Sequence, residues 1–330
     1  MATKEIPTSA ALLALPTLGL AIVAMLAEQD GIIRIAQGLR LPECIITDAR
    51  DRVSCYEALA MLLKRLAFPC RLSSLRKSFG RSEGVCCRVT LCVASLIMDR
   101  WNDLLFFSDS TFVRRLEQYK SAVKAASGSI VEGVALFIDG TKHFICRPSP
   151  RPNGPRGENL QKAVYSGHKR RHCLSYQGVI APEGLFISFW GPVEGRRHDT
   201  TVLRQSGLQE YIHSHPVLQN LDFIIYGDPA YGVSDIISVP YQGASISPNM
   251  RACNALLSSL RVSVELGFNH VKRYFAHLEY AKAHKVRLSP VAVTVKCAVL
   301  FANIHTCINN GNQISQMFLL KPPKLEEYLC

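Results

Sequence analysis

The sequence predicts an α/β fold in which a mixed sheet flanked by helices follows an all-helical module. Apolar residues recur at helical spacing between Asp51 and Trp101, short runs typical of strands begin at Val134, and two long apolar helical patterns come near the end. The 330 residues are 48% hydrophobic and 19% charged. This composition provides enough apolar surface for a core and excludes an intrinsically disordered protein.

An apolar stretch, Ala10–Ala27, dominates a predicted N-terminal segment over residues 1–50. It contains Pro16 and Gly19, is at the short end of membrane-spanning length, and lacks the basic start of a signal peptide. We interpret it as a core-packing or capping helix rather than a membrane anchor.

Residues 51–128 are predicted to form a helix-turn-helix-like domain. The helical pattern of Ser54–Phe68 ends before a proline, and a short helix near Ser74–Phe79 is followed by a glycine turn. Ser82 is the expected N-cap of a longer helix that runs toward Trp101. This order is typical of a helix-turn-helix.

The charge of this domain favours nucleic acid as a partner. Ten basic and four acidic residues lie between Arg50 and Arg100, and the whole chain has a formal charge of +12. An all-α packing module with solvated basic groups fits the same pattern equally well. The candidate DNA contacts lie around the predicted turn: Arg76, Lys77, Arg81 and Arg88.

Residues 129–330 alternate between strand and helix patterns, with a Pro/Gly/Arg loop at 148–157. A Pro-Glu-Gly sequence at 182–184 predicts a hairpin turn. In chain order we predict strands Val134–Ile138, Ala163–Tyr165, His172–Ile180 and Leu185–Trp190, a helix Thr200–Ile212, a strand Leu221–Tyr226, and helices Asn254–Tyr280 and Pro290–Ile308.

Two of the predicted strands are followed by an aspartate, Asp139 and Asp228. Neighbouring parallel strands present such residues together at one edge of a sheet, and Glu265 on the long helix can project toward the same edge. Clustered carboxylates repel each other unless a cation lies among them, and their hard oxygens suit Mg²⁺ or Mn²⁺. The order strand-Asp, hairpin, helix, strand-Asp, helix-Glu is the RNase H-like arrangement.

Each acid also has a simpler interpretation. An aspartate after a strand is usually a turn or cap residue, and Asp199 can N-cap the helix that follows it. Glu265 lies four residues after Arg261, the spacing of a helical ion pair. Only the combination and order of the acids favour a metal site.

The transposase domain of the PIF/Harbinger superfamily resembles five segments of this chain, in the correct order: FIDGTK, YSGHKRRHCLSYQGV, GPVEGRRHD, YGDPAYG and RVSVELGF. The segment ALAMLLKRLAFPCRLSSLRKSFGRS is similar to the helical module that precedes that domain. The resemblance covers most of the chain from Asp51 onward.

This resemblance implies an RNase H-like fold over residues 129–330, with a DDE triad that binds divalent metal and cuts DNA at transposon ends. The first acid is then Asp139 and the last Glu265. Position at the end of the fourth strand favours Asp228 as the middle acid, with Asp199 as a second candidate and a further metal ligand. His198 would help to position metal, water or DNA.

Basic residues near these acids are further DNA-binding candidates. A cluster begins the second long strand, and a pair precedes Asp199; both can contact phosphates, although a solvated charge run is the alternative. The candidates are His168, Lys169, Arg170, Arg171, Arg196 and Arg197.

The twelve cysteines are scattered and form no CxxC pair. This distribution predicts reduced thiols in an intracellular protein and gives little support to structural zinc.

We therefore predict a metal-dependent DNA endonuclease or transposase using Mg²⁺ or Mn²⁺, with double-stranded DNA as its partner. Two alternatives stay open: a domesticated transposase-derived protein that binds DNA without turnover, and an unrelated phosphohydrolase acting on small phosphates. The resemblance also suggests a nuclear protein with a Myb/SANT-like DNA-binding helper, and a homo-oligomer is possible. Membrane association is not expected.

Overall fold

The structure is a computed structural model that describes residues 29–109, 111–149, 159–243 and 245–330. The predicted helix at Ala10–Ala27 and most of the loop at 148–157 therefore lie outside the described residues.

The chain forms two compact units, which we call the helical unit and the sheet unit. The helical unit contains the described residues up to Asn102, together with 270–305 and Leu329. The sheet unit contains 103–269, 306–328 and Cys330, apart from the positions outside the described ranges.

Helices and strands alternate through most of the described chain. The helices are α1 (Gln29–Gly38), α2 (Cys55–Ala67), α3 (Leu72–Phe79), α4 (Glu83–Trp101), α5 (Phe112–Ala126), α6 (Leu160–Val164), α7 (Asp199–Ser206), α8 (Leu208–Ser214), α9 (Pro248–Tyr274), α10 (Val291–Ile308), α11 (Gln313–Met317) and α12 (Leu325–Tyr328). The strands are β1 (Cys44–Ile46), β2 (Arg52–Ser54), β3 (Val134–Phe144), β4 (Tyr165–Ser166), β5 (Arg171–Ile180), β6 (Phe186–Glu194), β7 (Ile224–Tyr226) and β8 (Ile237–Ser238).

Helices α2, α3 and α4 of the helical unit follow the predicted order of helix, short helix, glycine turn and capped helix. The Ser82 hydroxyl accepts a hydrogen bond from the Val85 backbone N–H at 3.3 Å and so caps α4. Gly80 ends α3 in the left-handed conformation, with φ of 65°, which a side chain would disfavour. The predicted cap and turn are confirmed.

Helix α10 is apolar enough, by length and composition, to cross a membrane, with a mean hydropathy of 1.7. However, 72% of it is buried inside the protein. Its Cys297 thiol lies 3.5 Å from the Ala94 carbonyl oxygen of α4, within the helical unit. We therefore interpret α10 as a core helix, as the sequence predicts.

The sheet unit is built on a mixed sheet that has six strands within the described residues, in the order β4-β5-β3-β7-β8, with β6 paired to β5. Strand β5 is antiparallel to β3 and β6, whereas β7 is parallel to β3 and β8 is parallel to β7. Antiparallel β6, β5 and β3 followed by parallel β7 and β8 are the RNase H-like arrangement. The predicted fold class is confirmed.

Strand β3 is longer than its apolar run predicts. The run ends at Ile138, but the strand continues to Phe144 because β5 pairs with it beyond the acid, as far as Cys173 opposite Phe144. Asp139 therefore lies in the middle of β3 rather than at its end. On the other side, β7 stops at Tyr226, opposite Phe137.

Other element boundaries predicted from the sequence are also wrong: β6 runs to Glu194 rather than Trp190, and β7 begins at Ile224 rather than Leu221. The helix predicted at Thr200–Ile212 is divided into α7 and α8 because Gly207 takes the left-handed conformation, with φ of 62°. The helix predicted at Asn254–Tyr280 runs from Pro248 to Tyr274. Ala163, predicted to begin a strand, lies in α6.

Helix α9 lies close against the sheet because two glycines leave room for it. A Cβ atom on Gly178 of β5 would come within 2.7 Å of the Phe268 ring of α9, and a Cβ on Gly267 would collide with a side chain of β5. Phe268 also stacks on Phe186 of β6, with ring centroids 5.3 Å apart. This contact holds the turn of α9 that carries Glu265 against the sheet.

Candidate active site

Asp139 lies in β3 opposite Gly178 of β5, and its side chain is 17% exposed. Both of its carboxylate oxygens accept hydrogen bonds. Oδ1 accepts the Gly140 backbone N–H at 2.7 Å, and Oδ2 accepts Nη1 of Arg261 at 3.0 Å. The carboxylate is therefore held from two sides.

The pKa of Asp139 is raised to about 6, chiefly because burial removes the carboxylate from water. The negative charges of Asp228 and Glu265 raise it further, while the Gly140 hydrogen bond and the Arg261 charge oppose the rise. The positive charge of one guanidinium therefore does not offset the effect of burial and of the neighbouring acids on this pKa.

Asp228 comes to the same level as Asp139 on the neighbouring strand. The parallel pair of β3 and β7 aligns Phe137 with Tyr226, and each aspartate lies two residues further along its chain. Adjacent strands are about 4.8 Å apart, so Asp228, just past the end of β7, lies beside Asp139, and its charge raises the pKa of the Asp139 carboxyl. Asp228 also caps the turn that follows it, because its Oδ1 accepts the Ala230 N–H at 2.9 Å.

Glu265 reaches the acids from α9, and its side chain is 50% exposed. Its Oε1 lies 3.2 Å from Nη2 of Arg261, one helical turn earlier. The helical ion pair considered from the sequence is therefore present. The same guanidinium also binds Asp139, so Arg261 bridges an acid of the sheet and an acid of the helix.

Asp199 is the first residue of α7, and His198 rather than Asp199 is the N-cap. A Cβ on Gly140 would lie 2.6 Å from Asp199 Oδ1, so Asp199 rests against the backbone next to Asp139. Burial raises the pKa of Asp199; the charge of Asp228 adds to this effect and that of Lys142 opposes it. Asp199 thus belongs to the same acidic cluster.

Tyr231 lies close enough to three aspartates to feel their charge. Its side chain is buried, and its hydroxyl has no hydrogen-bond partner among the described residues. Burial raises its pKa, and the charges of Asp199, Asp139 and Asp228 raise it further, in that order. A buried hydroxyl group without a partner is a donor that a bound group or water can use.

The predicted basic cluster, at residues 168–171, is exposed and comprises the turn after β4 and the first residue of β5. The Arg171 guanidinium lies 4.0 Å from the centre of the Phe144 ring. Phe144 is five residues beyond Asp139 on β3, or about 17 Å along the strand. His168, Lys169, Arg170 and Arg171 therefore lie well beyond the acids along the same strands, and not in contact with them.

Of the two predicted cations before α7, one is exposed and one is paired. Arg196 faces solvent. Arg197 forms two hydrogen bonds to the Glu194 carboxylate, at 2.8 and 3.2 Å.

In the helical unit, two predicted DNA-binding arginines are also paired. Arg81 binds both oxygens of Glu57 at 3.0 Å, and Arg88 binds Asp51 at 2.7 and 3.0 Å. The other two predicted contacts are exposed: Arg76 and Lys77.

A comparison with protein families agrees with this geometry. Residues 138–303, half of the chain, match the family described as DDE superfamily endonuclease. The chain belongs to the DDE superfamily of endonucleases. The PIF/Harbinger resemblance is confirmed, and the matched range of the DDE domain contains all four acids of the cluster. No curated protein and no solved structure matches the chain.

DDE endonucleases act on DNA and typically use divalent metal ions. The cluster fits such an ion in its donor chemistry, because Asp139, Asp199, Asp228 and Glu265 all offer hard carboxylate oxygens. The hydroxyl group of Tyr231 adds an unused polar atom. Nevertheless, no three Asp, Glu, His or Cys side chains of the described residues are gathered as a ready set of ligands.

Sequence reasoning missed three residues that lie near the acids. Tyr231 follows Asp228 in YGDPAYG, but nothing in that segment predicts that its hydroxyl is buried without a partner. Lys142 follows the first acid in FIDGTK, and its Nζ donates to Ser175 Oγ at 2.7 Å and to the Arg197 carbonyl at 3.2 Å. Gly140 follows Asp139 in the same segment, and its missing side chain makes room for Asp199.

Proposed function

We propose that this protein is a metal-dependent DNA endonuclease of the transposase type, and that Asp139, Asp228 and Glu265 are its catalytic acids. One observation carries the proposal. Asp139 in β3 and Asp228 just beyond β7 each lie two residues after the paired residues Phe137 and Tyr226, within the domain that identifies the chain as a DDE endonuclease. Asp199, against Gly140, supplies a further carboxylate to the same cluster.

The four acids would hold Mg²⁺ or Mn²⁺. Divalent ions bound there supply activation of an attacking water and stabilisation of the leaving oxygen. Asp139 offers its carboxylate from within β3 and Asp228 from just beyond β7, whereas Glu265 adds one from α9. Tyr231 can donate a hydrogen bond, since its hydroxyl has no other partner among the described residues.

Exposed cations would hold the DNA backbone on either side of the cleavage point. The basic cluster at 168–171 lies about 17 Å from Asp139 along the strands, so it would contact phosphates a few nucleotides away. Arg196 is exposed immediately before α7. In the helical unit, Arg76 and Lys77 are the better candidates, because Arg81 and Arg88 are bound to carboxylates.

For this family the corresponding biology is cleavage at transposon ends. Water would cut the phosphodiester first, and the released 3′-hydroxyl would then attack target DNA. The proposal also includes a nuclear location for the protein, a Myb/SANT-like DNA-binding helper as its partner, and assembly into a homo-oligomer. The domesticated form, which binds DNA without cutting it, is the main competing outcome.

Nicking of supercoiled plasmid in Mn²⁺ tests this proposal. We expect Asp139→Ala to lower the nicking rate by at least about a hundredfold, because the substitution removes a carboxylate at the reacting centre. Asp222→Ala is the matched control, since Asp222 is an exposed aspartate of the same unit, outside the cluster. It should nick at the wild-type rate.

Equal nicking by wild type and Asp139→Ala would mean that the assigned site is wrong. Salt-sensitive plasmid binding by the wild type without nicking in either metal would favour the domesticated form. Inhibition by a small phosphate ester, but not by competing DNA, would favour a phosphohydrolase.

A further inference from the structure

Arg261 contacts two of the proposed catalytic acids at once. Its Nη1 lies 3.0 Å from Asp139 Oδ2, and its Nη2 lies 3.2 Å from Glu265 Oε1. The arginine side chain is 21% exposed, so the guanidinium is largely withdrawn from water. The two nitrogens of one guanidinium thus join the acid of the sheet to the acid of the helix.

This guanidinium occupies an oxygen of Asp139 that could otherwise bind a metal ion. Asp139 Oδ1 accepts the Gly140 N–H at 2.7 Å and keeps a second lone pair, whereas a side-chain cation holds Oδ2. That cation is Arg261. The neighbouring cation Lys142 instead directs its ammonium to Ser175 and to the Arg197 carbonyl.

We propose that Arg261 is a built-in countercation, which keeps Asp139 and Glu265 together while the site holds no metal and is displaced from Asp139 when a divalent ion binds. The inference rests on the proposed function, because it takes these acids as metal ligands. It also gives a reason why the described residues contain no ready set of ligands.

Displacement follows from electrostatics. A divalent ion and a guanidinium that share one oxygen lie within a few ångströms of each other and repel, more strongly in a partly buried site than in water. The ion has the larger charge and gains from all of the carboxylates, whereas Arg261 contacts two. Arg261 should therefore stabilise the metal-free protein and weaken metal binding, two effects of opposite sign from one contact.

The test measures Mn²⁺ affinity without DNA, by electron paramagnetic resonance of free Mn²⁺, and the Tm in EDTA and in saturating Mn²⁺. We expect Arg261→Gln to bind Mn²⁺ about fivefold more tightly or better, because one charge-assisted contact no longer competes. In EDTA, the Tm of Arg261→Gln should be below that of wild type. The difference in Tm should narrow in saturating Mn²⁺, because the metal has then displaced Arg261 from Asp139 in the wild type as well.

Two further variants separate displacement from a general change of charge. Lys142→Gln removes one positive charge near the acids without touching Asp139 or Glu265, and it should change Mn²⁺ affinity less than Arg261→Gln. Arg261→Lys keeps the charge but loses the two-pronged geometry, so its affinity should lie between wild type and Arg261→Gln.

The possible failures are distinguishable. If wild type binds no Mn²⁺, the proposed function itself is wrong. If wild type binds Mn²⁺ but Arg261→Gln binds it no more tightly, or Lys142→Gln matches its gain, the countercation role is wrong and the proposed function stands. A Tm gap that is the same with and without Mn²⁺ would also overturn the countercation role, since a purely structural arginine would behave in that way.

Discussion

Two aspartates of this protein each have an arginine partner, yet their carboxyl groups respond in opposite directions. In the helical unit, Arg88 holds both oxygens of Asp51, and this hydrogen bonding lowers the pKa of Asp51 to about 2. In the sheet unit, Arg261 holds one oxygen of Asp139, and the pKa of Asp139 is raised to about 6. An arginine partner alone therefore does not distinguish a structural ion pair from a functional site.

The difference lies first in burial, which is the main cause of the raised pKa of Asp139, and then in the number of acids that each arginine serves. Arg88 serves one carboxylate, with the two parallel hydrogen bonds that guanidinium and carboxylate geometry favour. Arg261 is divided between Asp139 and Glu265, and further acids lie close by. The first pair is electrostatically complete, whereas the second still favours additional positive charge, which is the condition for binding a metal ion.

The largest expected effect is on the pH dependence of stability. Because the folded-state pKa of Asp139 lies near 6, above its ordinary value of 3.8, the folded protein binds a proton that the unfolded chain has released. The free energy of unfolding should therefore fall as the pH rises from about 4 to about 7, by up to about 3 kcal/mol from this group. Asp139→Asn should remove that fall and be more stable than wild type at pH 7, as measured by urea unfolding in EDTA.

Asp51→Asn is the counterpart for this experiment. The lowered pKa of Asp51 means that its ionised form stabilises the fold above about pH 4, and that this contribution is lost as the pH falls through about 2. Asp51→Asn should therefore be less stable than wild type near neutral pH, and the two should converge in acid. If the free energy of unfolding of wild type and of Asp139→Asn depends on pH in the same way, the contrast between Asp139 and Asp51 is wrong. Such a result would mean that the ionised Asp139 gains as much free energy from Arg261 as it loses by burial.

A second, smaller effect sharpens the boundary of the acidic cluster. A Cβ on Gly140 would approach Asp199 Oδ1 to 2.6 Å, so Gly140→Ala must displace that carboxylate. If Asp199 helps to hold the ion, Mn²⁺ affinity should fall by about tenfold, the size typical of a displaced or misoriented ligand. Mn²⁺ titration without DNA measures the change.

Gly167→Ala is the matched control, because a Cβ at this position meets no atom within 4 Å. It should keep both the Mn²⁺ affinity and the Tm of wild type. Unchanged affinity in Gly140→Ala, with an intact fold, would remove Asp199 from the ligand set and leave three acids.

The approach of Asp139 and Asp228 could be predicted from the sequence because it depends on local information. Each aspartate follows a short apolar strand, and parallel strands bring their carboxyl ends to one edge. The continuation of β3 past Asp139 could not be predicted, since it depends on pairing with β5 more than thirty residues away. The polar sequence after Ile138 gives no sign of that partner.

The partners of individual charges were also beyond prediction. The sequence shows Arg261 four residues before Glu265, but not that its second nitrogen reaches Asp139, which is 122 residues away in the chain. In the same way, counting basic residues in the helical unit treats Arg81 and Lys77 alike. Only the structure separates them, because the side chain of Arg81 is bound to Glu57.

The smallest expected effect concerns Arg81 and Lys77. It tests whether the helical unit also contains both charges that stabilise the fold and charges that bind DNA. Arg81→Gln breaks an exposed, two-pronged ion pair and should lower the free energy of unfolding by about 0.5 to 1 kcal/mol. Lys77→Gln removes an exposed charge, so it should leave stability unchanged, weaken plasmid binding and reduce its salt dependence by about one released ion. Urea unfolding and salt-dependent binding measure the two properties separately.

If Arg81→Gln instead reduces the salt dependence as much as Lys77→Gln does, then DNA takes Arg81 away from Glu57 on binding. The pair of Arg81 with Glu57 would then be one that opens when a ligand binds, as we propose for Arg261 and Asp139. It would differ from the pair of Arg88 with Asp51, which we interpret as structural.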